Sequence, residues 1–367
     1  MTKTGRIELM APAGDFTSLQ AALDNGADSV YFGVEQLNMR ARASMNFTLD
    51  DLPEISRRCK EKGVRTYLTL NTIIYDHDLS IIKTLLDRAK AADLTAVIAM
   101  DQAVIAYARQ IGMEVHISTQ INITNIETVK FYALFADTMV MSRELSVTQV
   151  KKICQQIEKE QIKGPSGNLV EIEIFGHGAL CMAVSGKCYL SLHSHNSSAN
   201  RGACKQNCRK KYTVIDQESG FEIELDNEYM MSPKDLCTIN FLDQIVDAGV
   251  KVLKLEGRGR APEYVATVTK CYREAIDSIA DGTYSQEKVA AWMSRLETVY
   301  NRGFWSGYYL GQKLGEWSPN SGSNATQIAQ DVKKVLEEQS KTFPPGLVYK
   351  INYDVTEFLF ASIEEVI

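Results

Sequence analysis

The chain of 367 residues is 45% hydrophobic and 23% charged, with a formal net charge of −6. That balance excludes intrinsic disorder, a collagen-like repeat and a stapled mini-scaffold, and it leaves room for one large α/β barrel with a smaller piece attached. An acidic total gives no general reason to expect a polyanionic partner, although a chain-wide sum conceals local patches.

No apolar window approaches the length of a spanning helix and the first residues lack a signal-peptide core, so a cytoplasmic protein with no membrane association is expected. In a reducing compartment the eight cysteines point to buried thiols, redox chemistry or metal ligation rather than structural disulfides.

In chain order, short apolar runs alternate with helical periodicity, as in Leu19, Ala22 and Leu23, and glycines such as Gly26 and Gly63 follow as helix stops. Eight strands are predicted, at residues 7–12, 29–33, 65–70, 96–100, 114–119, 138–142, 171–176 and 250–255. Eight βα units predict an α/β fold, a (β/α)8 TIM-barrel-like domain. Chemistry in such a barrel sits where the strands run out, which selects Arg40, His116, Gln120, Arg143, His177 and Glu256. Residues 177–249 are too long for a simple βα connection and form a cysteine-rich insertion between strands 7 and 8.

Cys181, Cys188, Cys204, Cys208 and Cys237 fall within 57 residues of that insertion. Thiolates are soft ligands for zinc or iron–sulfur clusters, and four close either kind of site. The spacings of 6, 15, 3 and 28 residues lack the paired short knuckles of a zinc ribbon and favour iron–sulfur, with zinc and metal-free thiols left as alternatives. Cys59, Cys154 and Cys271 lie in helical patterns and read as core fillers. From residue 174 to 215 there is no Asp or Glu, while Lys187, Arg201, Lys205, Arg209, Lys210 and Lys211 are all positive. One-signed charge with Tyr189 and Tyr212 available for stacking suits RNA; the same charges would also offset a thiolate cluster.

The stretch EIFGHGALCMAVSGKCYLS from Glu173 to Ser191 resembles the signature of the peptidase U32 family, collagenase-like proteases of unassigned catalytic type. APAG at residues 11–14, GADSVYFG at 26–33, HISTQINITN at 116–125, SREL at 142–145, NRGACKQNCR at 200–209, SPKDLC at 232–237 and KLEGRGR at 254–260 agree with it. The resemblance runs from about residue 7 to about residue 318 and implies a domain over 1–318. It also implies a [4Fe–4S] cluster and hydroxylation of a tRNA wobble uridine, of 23S rRNA or of a ubiquinone precursor, with prephenate as a donor in some branches. Among its branches the fourth ligand falls at the position of Cys208 or of Cys237; this chain has both, so Cys181, Cys188 and Cys204 are assigned and the fourth is open.

Most of these readings converge on an iron–sulfur RNA-modifying enzyme acting on tRNA or rRNA, with tRNA wobble hydroxylation preferred. A small anionic substrate, by resemblance a prephenate-like dicarboxylate, is assigned to Arg143, Arg258 and Arg260, with Arg40 and Gln120 nearby; otherwise Glu256 pairs with one of these arginines and residues 257–260 form a satisfied turn. The alternative is a peptidase using His116 or His177 as base beside a free Cys208, against which stand the lack of an H-E-x-x-H or G-x-S-x-G motif and the competition of metal ligation for the thiol. A third reading is an accessory protein paired with a partner subunit. In the tail over residues 319–367, residues 324–367 resemble a periplasmic segment of resistance-nodulation-division efflux pumps. They read as an atypical tail joined to the barrel; otherwise a helix over 328–336 packs on it through Ile328, Val332 and Val335.

Overall fold

The computed structural model describes residues 6–39, 46–220, 222–223, 229–312 and 315–319. Arg40 and the predicted helix over 328–336 lie outside the described residues.

The first seven strands are β1 (Glu8–Pro12), β2 (Ser29–Phe32), β3 (Arg65–Leu70), β4 (Ala96–Ala99), β5 (Glu114–Ile117), β6 (Thr138–Val140) and β7 (Glu171–Gly178). After the insertion, which contributes β8 (Val214–Ile215), β9 (Glu222–Ile223) and β10 (Asp235–Cys237), comes β11 (Val252–Leu255). Strands β1 to β7 pair in parallel in sequence order, and β11 pairs in parallel with both β7 and β1, so eight parallel strands close into a barrel. All eight predicted strands are present, within a few residues of their expected ends. The sheet also continues outward: β10 runs antiparallel to β7, and β12 (Phe304–Trp305) adds to β10.

The helices are α1 (Phe16–Asp24), α2 (Leu52–Glu61), α3 (Leu79–Ala91), α4 (Gln102–Gln110), α5 (Ile126–Tyr132), α6 (Val147–Glu160), α7 (Leu190–His195), α8 (Leu242–Asp247), α9 (Pro262–Ala280) and α10 (Gln286–Glu297). Caps set their starts: Asp15 accepts from Ser18 N at 2.7 Å, and Ser146 and Gln149 form a capping box. No helix of the described residues is long and apolar enough to cross a membrane.

Strand periodicity of two sorts the side chains. Leu9, Val30, Leu68 and Val97 face outward into the core shared with the helices, while Met10, Tyr31, Tyr67, Ala96, Ile98 and Val252 form a small apolar cluster inside the barrel. Truncating a fully buried outward position such as Leu9 to Ala costs about 2–5 kcal/mol. The rest of the interior is charged, and that charge leads to the mouth.

Candidate active site at the barrel mouth

The insertion leaves the end of β7 at Ala179, and charged side chains grip that root. Glu256 accepts from Ala179 N at 3.3 Å, Arg143 donates to Ala179 O at 3.2 Å, and Arg209 donates to Leu180 O at 2.6 Å. The loop then reaches the end of β5, where Asn122 donates to Ser185 O at 3.1 Å. Gly186 adopts φ +75°, the left-handed region that favours glycine, and brings the loop against the Gln120 side chain. Further on, Ile73 N donates to Asn200 O at 3.1 Å, which ties the insertion to the end of β3. Contacts at β7, β5 and β3 stretch it across the mouth, the face where barrel enzymes place their chemistry.

Cys181 and Cys204 are exposed and Cys188 and Cys208 half-buried. Burial pushes the Cys208 thiol up, Arg209 pulls it down, and Cys181, Cys204 and Cys188 each push it up, so the four thiols share one electrostatic neighbourhood. Cys237 stands apart on β10. It is buried, its Sγ lies 3.7 Å from the Tyr272 hydroxyl and 3.8 Å from Met293 Sδ, and burial raises it to about 11. Of the two candidates for a fourth ligand, Cys237 is buried on β10 against Tyr272, whereas Cys208 is half-buried in the same segment as Cys181, Cys188 and Cys204. Four soft thiols in an acid-free segment fit a thiolate-bound metal by donor chemistry. Among the described residues no three such side chains stand at metal-bonding separation, so binding would have to draw the loop together. Cys59, Cys154 and Cys271 are buried, with thiols raised by burial to about 12, 12 and 11, in line with core filling.

Beneath the loop, the Lys254 ammonium lies 4.4 Å from the Tyr31 ring and 5.7 Å from that of Phe175, and the Arg143 guanidinium lies 4.0 Å over Phe175. Arg258 donates to Thr69 Oγ1 at 2.8 Å and Asn38 Oδ1 at 3.0 Å, and is 5.9 Å from Tyr31. Burial lowers the Lys254 pKa; Glu173 pulls it back, while Arg258 and Arg143 push it further down. Arg143 and Arg258 thus meet at the mouth as expected, with Lys254 as an unpredicted third cation. Arg260 does not join them: it stacks 3.6 Å over Tyr300, under the attraction of Glu256, and its N–H closes a turn onto Gly257 O at 2.9 Å. Gln120 Oε1 is buried with no hydrogen-bond partner.

A column of charge descends from Lys254. Its ammonium pairs with Glu173 at 2.9 Å, and His116 lies 3.6 Å from Glu173 and 3.1 Å from Glu114. At the bottom Glu8 pairs with Arg65 and accepts from Tyr67 at 2.9 Å. Burial alone would strip the His116 proton, but the hydrogen bond with Glu114 and the charges of Glu114 and Glu173 outweigh it and hold the pKa above the usual range. Protonated, His116 balances the column at three cations and three anions. This is a structural position, 1% exposed, not that of a base facing substrate. His177 is sealed among Tyr264, Tyr272 and Phe304, with Nδ1 3.3 Å from the Tyr272 hydroxyl, and burial drops its pKa to about 3. That hydroxyl already donates to Gly176 O, so the imidazole is the donor. Glu256, expected as a catalytic group, holds the Ala179 N–H.

The basic segment is corrected in two places. Arg201 pairs with Asp78 at 2.6 Å, donates to Ile73 O and lies 4.5 Å over Tyr75, while Arg209 is bound to Leu180, Ser232 and Pro233. Both are turned inward by these acceptors, which lie far away in sequence. Lys187, Lys205, Lys210 and Lys211 remain exposed, beside an exposed Tyr189. Tyr212 spends its hydroxyl on Asn207 O at 2.7 Å.

A closed parallel barrel with a thiol-bearing insertion across its mouth, and cations around two aromatic rings below it, has the layout of a barrel enzyme. The profile of peptidase family U32 matches residues 14–319, and the chain belongs to that family. A relative named "Collagenase" from Porphyromonas gingivalis is 57% identical over 320 residues, 87% of this chain and 77% of the relative. "tRNA hydroxylation protein P1" of Bacillus subtilis is 29% identical over 98% of this chain and 85% of its own length. "23S rRNA 5-hydroxycytidine C2501 synthase" of Escherichia coli is 34% identical over 75% of this chain and 40% of its own. The Bacillus alignment leaves only a few residues uncovered and so carries residues past 319 within a family relative. The efflux-pump resemblance of that tail finds no support.

Proposed function

We infer that this chain is an RNA-modifying enzyme that hydroxylates a base, with a tRNA wobble uridine as preferred target. In this reading Cys181, Cys188, Cys204 and Cys208 hold a [4Fe–4S] cluster above the mouth. The observation that carries it is the shared neighbourhood of these four thiols in an acid-free insertion spanning the mouth. The cluster, when bound, supplies one-electron chemistry. The chain's own residues position the reactants: Lys187, Lys205, Lys210 and Lys211 attract the RNA backbone, and Tyr189, 63% exposed, offers a ring for an unpaired base. Arg143, Lys254 and Arg258 suit a small dicarboxylate of prephenate type as donor, and the Tyr31 and Phe175 rings give it an apolar wall.

Anaerobic purification with iron and sulfide analysis tests the cluster, and mass spectrometry of digested nucleosides tests the reaction. Close to four irons per chain, lost in Cys181→Ala and Cys208→Ala but retained in Cys237→Ala, is the expected result; stoichiometric zinc without iron overturns it.

Peptide-bond hydrolysis is the second reading, favoured by the name of the 57%-identical relative. The buried, neutral His177 and the salt-bridged His116 are poor partners for a thiol nucleophile, which needs a base within reach. Hydrolysis of gelatin that disappears in Cys208→Ala but survives removal of metal would favour the peptidase.

A further inference from the structure

We propose that Arg209 is the positioning residue of the four-thiol site, tying the Cys181 and Cys208 segments to a common anchor at Ser232 and Pro233 from which the loop closes on a metal. This rests on the metal-binding reading above. The side chain is a three-way staple. Nη2 donates to Leu180 O at 2.6 Å, one residue before Cys181, while Nη1 donates to Ser232 Oγ at 2.9 Å and Pro233 O at 2.8 Å. Its own backbone follows Cys208 directly. One planar fork therefore ties together three stretches of the insertion more than twenty residues apart, which the single ammonium of a lysine cannot span in the same way.

The fork acts from outside the thiols, through backbone and hydroxyl oxygens alone. Arg209 thus contributes to binding without touching the metal, as outer residues of metal sites do.

The test is anaerobic titration of the reduced full chain with cobalt(II), read by the thiolate-to-cobalt charge-transfer band, with far-UV circular dichroism to confirm the fold. The wild type should bind one equivalent, Arg209→Gln should lower affinity about 10- to 100-fold, and Arg209→Lys should fall between them. Lys151→Gln on the exposed side of α6 should match the wild type. Ser232→Ala, which keeps the charge and removes one acceptor, should give a smaller loss and decides the matter together with Arg209→Lys if Arg209→Gln fails to fold. Wild type that binds cobalt while the Arg209 and Ser232 variants stay within about twofold overturns the role of Arg209; wild type with no charge-transfer band overturns the metal site itself.

Discussion

The barrel interior and the insertion both carry concentrated charge, and they use it in opposite ways. Inside the barrel, Lys254, Glu173, His116, Glu114, Arg65 and Glu8 neutralise one another in a stack that is buried at Lys254, Glu173, His116 and Glu8 and meets water through Glu114 and Arg65. In the insertion the charge has one sign over more than forty residues, and the part of it not consumed by Arg201 and Arg209 faces solvent. Balanced charge in a low-dielectric interior fixes positions and answers to nothing outside. Unbalanced charge at the surface costs little in water and remains available to an incoming anion. The mouth cations lie between these regimes, where the column ends and the insertion begins.

The largest expected effect comes from unbalancing the interior. Lys254→Met leaves Glu173 buried with only His116 beside it and should cost about 3–5 kcal/mol in urea unfolding, whereas adding Glu173→Gln should recover a good part of that loss. A double variant no more stable than the single would dissolve the idea of a mutually dependent column.

At the mouth, Arg258→Lys keeps the charge but loses the fork to Thr69 and Asn38. It should lower hydroxylated nucleoside about tenfold or more with fold and metal content intact; unchanged nucleoside levels would place Arg258 with the purely structural arginines. On the insertion, reversing Lys187, Lys210 and Lys211 to Glu should weaken RNA binding in low salt and flatten its dependence on salt by about three units of log–log slope. Equal binding across salt concentrations would remove this face from the RNA interface.

The smallest effect concerns pH. His116 has a raised folded pKa, so its stabilisation is full below the ordinary imidazole range and is lost as pH rises through the folded value. Melting temperature should therefore decline on the alkaline side in the wild type, while His116→Gln, less stable overall, should show a shallower decline. Parallel pH curves for the two proteins would mean that the imidazole is neutral throughout.

The barrel was legible because each strand is a short apolar run bounded by turn residues, and closure follows from counting eight of them. Strands β10 and β12 escaped because two or three residues carry no periodic signal; they form only because β7 offers an edge. The run of thiols announced itself by density, but their different settings did not: only the fold shows that Cys237 lies on a strand against Tyr272. Glu173 and Lys254 were visible as charges inside strands, and alternation along EIEIF could have marked Glu173 as inward facing. Arg201 and Arg209 could not be sorted from the surface lysines, since their acceptors at Asp78 and Ser232 are neighbours only in the folded chain.

Residues just before the tail complete the base of the insertion. Asp235 N donates to Gly303 O, Lys234 N to Glu316 O, and Ser318 N to Ser232 O, while Trp305 pairs with Leu236 across β12 and β10. A nascent chain emerging from the ribosome therefore exposes all five insertion cysteines some eighty residues before the segment that seats Ser232 and Pro233 has been made. Until residue 318 is free, the thiols belong to a loop whose floor is missing. Loading of any metal is in this way tied to synthesis of residues 303–318 rather than to the first appearance of its ligands.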